Sequence, residues 1–491
     1  MRRFCAFIIF AVGLASALPI SVEVEPQSQI PSNSIGDITY DGEYVWISTG
    51  NGLARTRDGG ATWEYFLDGH SFSVLTYAYG RIFAASSKDT LWGTDYYPMG
   101  TGLWIADAHA DSVVFQHLRP WQMTFKNDTS FFGMLSYDIC VVPTVGDTYV
   151  YSASWYGGLA RSPDWGLSWE NVSWIYSFHD EFGNVISDSG TVVWEVIPEN
   201  QDSLADFVEN EGYDDLFFAV AVDTSESTPV VYSGTASGIF AIRGDMFYRS
   251  LPEDGLTGSW TVALAVQYPD SGGSVIWASS RSTGENGETD GICYSADGGR
   301  TWDTLATGLI CWNFAFCGDT VFFLCEQGFY RFTGDSLEQI TITDRQQNLT
   351  LPLDQMISAT VAGDTVWVGS DFGLAYSLDG CACEDFHILI HRESTEAQKT
   401  YAFPSPFSPH QHGTIFFVFD NPVAGEVKLE IFDFALDKFF ETTQNFPKGD
   451  ELMFQWDGRN ADGEYPANGI YLYRITLSDG TELWGKFAFM Q

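Results

Sequence analysis

The residues best suited to chemistry in this chain are aromatic and acidic, and they crowd into a few long connecting segments. Trp92, Tyr96, Tyr97, Trp121, Trp174, Tyr176 and Phe178 stand among carboxylates in such segments. Rings of this kind stack on a sugar or a peptide while carboxylates accept hydrogen bonds; the plainer reading is that they pack the loops against one another. His179-Asp180-Glu181 offers an acid, a base or a cation clamp. In so acidic a chain, however, adjacent acids arise by chance. The run Glu-Asn-Gly-Glu-Thr-Asp at 285–290 is oxygen-rich enough to suggest calcium but lacks EF-hand spacing, and the metal question stays open. Cysteine and histidine spacings do not fit zinc. G-x-x-x-x-G-K-[ST] is absent, and no G-x-S-x-G lies in a strand-to-helix context.

A second cluster recurs. Thr56-Arg57-Asp58-Gly59-Gly60-Ala61-Thr62-Trp63, Ser162-Pro163-Asp164-Trp165-Gly166-Leu167-Ser168-Trp169 and Ser295-Ala296-Asp297-Gly298-Gly299-Arg300-Thr301-Trp302 share S/T-x-D-x-G-x-T/S-W. Ser377-Leu378-Asp379-Gly380-Cys381 keeps only its beginning. In this order the carboxylate accepts backbone N–H bonds of a turn, glycine permits positive φ, and tryptophan begins the next strand and anchors the turn between sheets. The pattern resembles the Asp-box of neuraminidase-like propellers, where it sits on the turn between the third and fourth strands of a blade. By that resemblance Asp58, Trp63, Asp164, Trp169, Asp297 and Trp302 hold turns and do not catalyse.

The elements around these turns repeat too. Alternating β-branched and aromatic runs, broken by glycine turns, predict short antiparallel strands. Seven units begin near Ser34, Phe72, Ser136, Asp215, Trp260, Ile310 and Met356, each able to supply four strands. The expected fold is all-β: a propeller of about seven blades over residues 18–395, with six the alternative count if one unit without a box is misread, then a distinct module over 396–491. In that module Trp456, Asp457, Gly458, Arg459, Gly463, Gly469, Tyr471, Tyr473 and Arg474 stand in an order that resembles the immunoglobulin-like domain of the flagellar hook-capping protein FlgD. The resemblance implies an immunoglobulin-like β-sandwich, similar to domains that end secreted bacterial proteins, including cargo of type IX secretion. It further implies a role in sorting, anchoring or spacing, with secretion or cell-envelope machinery as partner. In a propeller, the insertions 87–102, 173–214 and 281–290 and the link 119–134 would share one rim, opposite the box turns.

Arg2-Arg3, an apolar run and Ala15-Ser16-Ala17 read as a secretory signal over residues 1–17, so a secreted or cell-surface location is expected. Lys+Arg number 23 against 65 Asp+Glu, a net charge of −42 that disfavours nucleic acid. Seven cysteines follow the signal, and Cys311 and Cys325 would meet if their strands form a hairpin. Cys381 and Cys383 would share a face if they lie on a strand. Sialidase-like propellers carry an arginine triad, yet no arginine lies between Arg3 and Arg55. The expected function is noncatalytic recognition or scaffolding, with a glycan or an extracellular protein as ligand. A glycoside hydrolase and a structural surface protein are the alternatives.

Overall fold

The computed structural model describes residues 27–491 except 93–94, 111, 119–133, 144–147, 157, 167–168, 172–194, 197–215, 244–245, 286, 348, 353–355, 392–399, 434–435 and 437. Trp121, Trp174, Tyr176, Phe178, His179-Asp180-Glu181 and the signal segment lie outside the described residues.

Seven antiparallel sheets follow one another along the chain, each with a consecutive four-stranded meander. They cover residues 35–66, 71–118, 134–171, 217–250, 260–307, 311–340 and 356–389, here blades 1 to 7. Blade 4 gains a fifth strand, Glu195–Val196, from the preceding insertion. The first strand of each blade packs on the first strand of the next, and Met356–Ala362 of blade 7 packs on Ile35–Tyr40 of blade 1. This closes a β-propeller of seven blades. Buried faces of neighbouring sheets supply the core, as where Ile35, Ile38 and Ile47 of blade 1 meet Trp367 and Leu374 of blade 7.

Among the described residues each four-stranded meander is one continuous stretch of chain, and no strand is exchanged at the closing seam. Side chains tie it instead. Asn33 Nδ2 donates to His391 O (3.0 Å) and Asn33 Oδ1 accepts from His391 N (2.6 Å). Ser34 Oγ donates to Asp371 Oδ1 (2.8 Å).

The last seven strands form two sheets. Thr400–Phe403, Ile415–Asn421 and Gly449–Trp456 make one; Lys438–Phe446, Gly425–Phe432, Gly469–Thr476 and Glu482–Phe489 make the other. Phe417, Phe454, Tyr473 and Phe487 fill the space between them, giving a β-sandwich. Trp456 is buried there, and its Nε1 donates to Arg459 O (2.7 Å). The Arg459 guanidinium lies 4.1 Å from the Tyr465 ring centre. Gly458, at φ 90°, lies where a Cβ would press on Phe407 and Pro409. The Trp-Asp-Gly-Arg run thus makes a corner of the sandwich.

This sandwich is docked. Phe416, Val418 and Met453, on the outer face of the three-stranded sheet, pack with Ile342, Leu349, Leu351 and Phe372 of the propeller. Gln455 Nε2 donates to Thr350 O (3.3 Å).

Cys311 and Cys325 are disulfide-bonded across their hairpin, and a second bridge joins Cys317 of blade 6 to Cys381 of blade 7. Cys381 and Cys383 do not share a strand face: Gly380–Ala382 forms a short 3-10 turn. Its end, Cys383, carries a buried thiol that burial pushes up to about 12. Two disulfides suit an oxidising compartment. Among the described residues no helix is long and apolar enough to cross a membrane.

Candidate binding site at the channel mouth

The repeated acidic turns are built alike. In blade 5, Asp297 Oδ1 accepts from Ser295 Oγ (2.8 Å), Arg300 N (3.0 Å) and Thr301 N (3.0 Å), and Oδ2 accepts from Thr301 Oγ1 (2.8 Å). Burial would raise this carboxyl, but those donors hold it below the usual range. Asp58 behaves the same way, taking bonds from Thr56 Oγ1, Thr62 N and Thr62 Oγ1. Asp164 accepts from Ser162 Oγ (2.9 Å). Trp63, Trp169 and Trp302 are buried, each donating from Nε1 to the glycine O three residues earlier. Each turn leans on the blade before it: Gly60 on Trp367 and Leu389, Gly166 on Ile105 and Leu118, Gly299 on Tyr232 and Tyr248. These carboxylates are spent on their own turns.

A different set of residues lies on the first strands of the blades, which pack on one another round the ring. Each inner strand carries a β-bulge one to three residues after its first residue: Gly36, Ser73, Tyr137, Phe218, Val262, Trp312 and Ile357 are the extra residues. A bulge re-aims a side chain that the ladder would otherwise bury, which is why bulges gather beside functional sites. Here Tyr137 is 38% and Trp312 42% exposed. The aromatic run continues from blade to blade: Tyr137 lies 5.9 Å from Phe218, and Phe218 5.4 Å from Trp260, between ring centres. The Arg281 guanidinium closes the arc, 5.7 Å from Trp260.

In four of the seven blades the residue after the bulge stitches neighbouring blades together. Asp37 Oδ2 accepts from Leu75 N of blade 2 (2.9 Å), Asp138 Oδ2 from Val220 N of blade 4 (2.9 Å), and Asn313 Oδ1 from Ala359 N of blade 7 (3.4 Å). Ser358 Oγ accepts from Ile38 N (3.0 Å) and donates to Asp37 Oδ1 (2.7 Å), across the closing seam. Burial lifts Asp37 to about 6 and Asp138 to about 7, and the Asp37 charge adds to the rise at Asp138. Both are half-buried. Perturbed carboxylates and exposed aromatic rings carried on the same ring of strands make it the candidate binding site.

The sequence signal for this site is a four-residue pattern: Ile-Gly-Asp-Ile from Ile35, Ser-Tyr-Asp-Ile from Ser136 and Cys-Trp-Asn-Phe from Cys311. Loop length points elsewhere. Trp92, Tyr96 and Tyr97 fall in the extended hairpin of blade 2, where Trp92 pairs with Asp95, Leu91 with Tyr96 and Thr90 with Tyr97. In the 281–290 loop, Glu288 Oε2 accepts from Thr283 N (2.7 Å) and Asp290 Oδ1 from Ser282 N (2.9 Å). Those acids close the loop on itself. Turns between second and third strands do lie against the links between blades: Gly52 N donates to His70 O (2.6 Å) and Thr289 N to Thr257 O (2.8 Å).

No protein-family model matches this chain. No curated protein matches it. Among solved structures, it is similar to PorZ, a bacterial surface component of the type IX secretion system of Porphyromonas gingivalis, at 15% identity and TM-score 0.40, covering 94% of this chain and 66% of that one. It is also similar to YCF48 from Cyanidioschyzon merolae, at 12% identity and TM-score 0.43, covering 71% and 97%. An ancestral GH74 enzyme matches at 9% identity and TM-score 0.32, covering 93% and 72%. Identities this low concern the fold alone.

Proposed function

We propose that this chain is a secreted or cell-surface recognition protein whose propeller binds a glycan without cleaving it. In this reading its docked sandwich serves sorting or anchoring through secretion or cell-envelope machinery. The observation that carries the glycan reading is the exposure of Tyr137 and Trp312 on bulges at the channel mouth. Such rings, beside hydrogen-bonding carboxylates, suit the apolar face and hydroxyl edge of a sugar. The test is a glycan array with the purified protein, in calcium and in chelator, followed by product analysis on each hit. Saturable binding without product is the expected result. Silence across the array would move the weight to a protein ligand or a structural role.

A glycoside hydrolase is the second reading, and one observation favours it. Asp138 and Asp37 are both raised by burial, Asp138 further and in part by the Asp37 charge, and a split pair of carboxylates is what serves as acid and base in sugar cleavage. Product release abolished by Asp138→Asn would establish that reading.

A further inference from the structure

We propose that the rim of blades 3 to 5 selects a sulfated glycan, with a sugar ring on Tyr137 and a sulfate ester on the Arg281 guanidinium. The inference rests on the glycan reading above and names the substituent that reading leaves open.

One edge of the ring of sheets carries a connected set of side chains. Tyr137, Phe218 and Trp260 stand at or near the start of the first strands of blades 3, 4 and 5. Arg281 ends the second strand of blade 5 and pairs in register with Trp260. The contacts run from blade to blade: 5.9 Å between the rings of Tyr137 and Phe218, 5.4 Å between Phe218 and Trp260, and 5.7 Å from the Trp260 ring to the Arg281 guanidinium. Phe218 is buried and wedges the set together, while Tyr137, 38% exposed, offers apolar surface to a ligand.

Arg281 stands apart from other arginines. In a chain with 65 Asp+Glu against 23 Lys+Arg, a cation readily finds a carboxylate: Arg55 meets Glu64 at 2.7 Å, Arg243 meets Glu226 at 2.8 Å, and Arg474 meets Glu430 at 2.6 Å. Half-buried Arg281 meets none among the described residues. Two acids of its own loop are engaged elsewhere. Glu288 takes Ser259 N (3.1 Å), Thr283 N (2.7 Å) and Thr283 Oγ1 (2.7 Å), and Asp290 takes Ser282 N (2.9 Å). The guanidinium thus keeps its N–H donors without a protein acceptor. Beside it, the Trp260 indole N–H is enclosed and also lacks an acceptor, which is costly to leave so.

Two orphaned donor groups at one spot call for an oxyanion. The flat guanidinium fork fills two oxygens, and the indole N–H takes a third once the Arg281 side chain, which lies over that ring, moves toward the ligand. A sulfate ester presents three terminal oxygens and one charge. A phosphate monoester carries nearly twice that charge at pH 7 and is repelled more strongly by so acidic a chain. At 0.15 M salt the field of that acidic surface decays within about 8 Å, whereas the guanidinium contact is direct.

Titration calorimetry with the full-length protein, at pH 7 and physiological salt, should compare sulfated hexasaccharides of chondroitin, carrageenan and fucan with their desulfated counterparts. At least one sulfated hexamer is expected to bind, and its desulfated counterpart at least roughly tenfold more weakly. Arg281→Gln should abolish that preference. Trp260→Phe, which keeps a ring and removes the N–H, should weaken sulfated binding by roughly fivefold. Tyr137→Ala should weaken both members of a pair alike, with melting temperatures confirming that each variant is folded. Desulfated chondroitin keeps its carboxylates, so equal binding of the two chondroitins would make this a carboxylate site and overturn the proposal. A preference that survives Arg281→Gln overturns it too. If no hexamer binds but array hits persist, the sulfate requirement fails and glycan recognition stands. If the array is silent as well, both fail.

Discussion

Asp297 on a blade turn and Asp138 at the axis are the same residue type with opposite fates. The first accepts two backbone N–H and two hydroxyl bonds and is held below the usual carboxylate range. The second accepts two backbone N–H bonds, feels the Asp37 charge, and is raised to about 7. Burial acts on both: at Asp138, which is enclosed far more deeply, it outweighs the donors and the Asp37 charge adds to it, whereas at exposed Asp297 the donors of its own turn outweigh it. The difference teaches where each kind of aspartate serves. A carboxylate ringed by donors from its own turn builds structure, whereas one buried with few donors against a like charge costs stability unless something else is gained. Outer-turn substitutions should therefore lower stability and spare binding, while axial ones should do the reverse.

The largest effect is expected at the tryptophan that wedges a turn against the preceding blade. Trp63 is 1% exposed and meets Trp367 edge-on, with ring centres 6.4 Å apart. Trp63→Ala should cost about 3–5 kcal/mol in denaturant unfolding, with glycan affinity retained wherever the variant is folded. A folded variant that has lost binding would break the division between rim and axis.

Blade 7 uses another anchor for the same joint. Its decayed turn has no tryptophan, and Cys381 reaches blade 6 through the bridge to Cys317. The rule that a turn leans on the blade before it survives with a covalent bond in place of packing. Paired Cys317→Ser and Cys381→Ser substitutions close no loop across the 64-residue separation and should cost about 4 kcal/mol. Removing the Cys311–Cys325 bridge, with separation 14, should cost less, about 3 kcal/mol. Unfolding curves of the two double variants give the order directly; the reverse order would mean that blade 7 is held chiefly by the docked sandwich.

Asp297→Ala tests the donors themselves. Loss of these charge-assisted bonds should cost about 1–3 kcal/mol at neutral pH. Because this carboxyl sits below its ordinary 3.8 in the folded protein, its contribution is present above that value and lost as pH falls through the folded value. Wild type and variant should therefore converge in acid. A gap that persists there would assign the loss to turn geometry instead of to the carboxylate's bonds.

Much of this is legible in the sequence because it is carried by local chemistry that repeats. Glycine turns and alternating strands recur from blade to blade, and three blades add a full eight-residue box, so the units can be counted without knowing a single contact. The Cys311–Cys325 approach is legible for the same reason, as a hairpin neighbour. The Cys317–Cys381 bridge is not, because it joins different blades. The channel mouth is hidden for a related reason. Tyr137 sits in the interior of a strand pattern, where an aromatic residue reads as core, and only the bulge turns it outward. A bulge is a mismatch between two strands, and one strand's residues do not announce it. Docking of the sandwich is equally silent, since Phe416 and Val418 look like any strand's apolar face until the propeller covers them.

The smallest effect, and the one with the reversed sign, belongs to the axis. Asp138 is raised in the folded protein, so protonation favours folding: its stabilising contribution is full below about 3.8 and is lost as pH rises through about 7. Asp37 acts likewise up to about 6. Asp138→Asn removes a carboxylate that is costly when ionised and keeps an acceptor for Val220 N. The variant should equal wild type near pH 4 and exceed it at pH 8 by about 1 kcal/mol, a modest gain because solvent in the channel screens the charge. Urea unfolding at the two pH values reads this out. A variant less stable at pH 8 would mean that the ionised carboxylate strengthens the joint between blades 3 and 4, and the axial pair would then belong with the outer turns as structure.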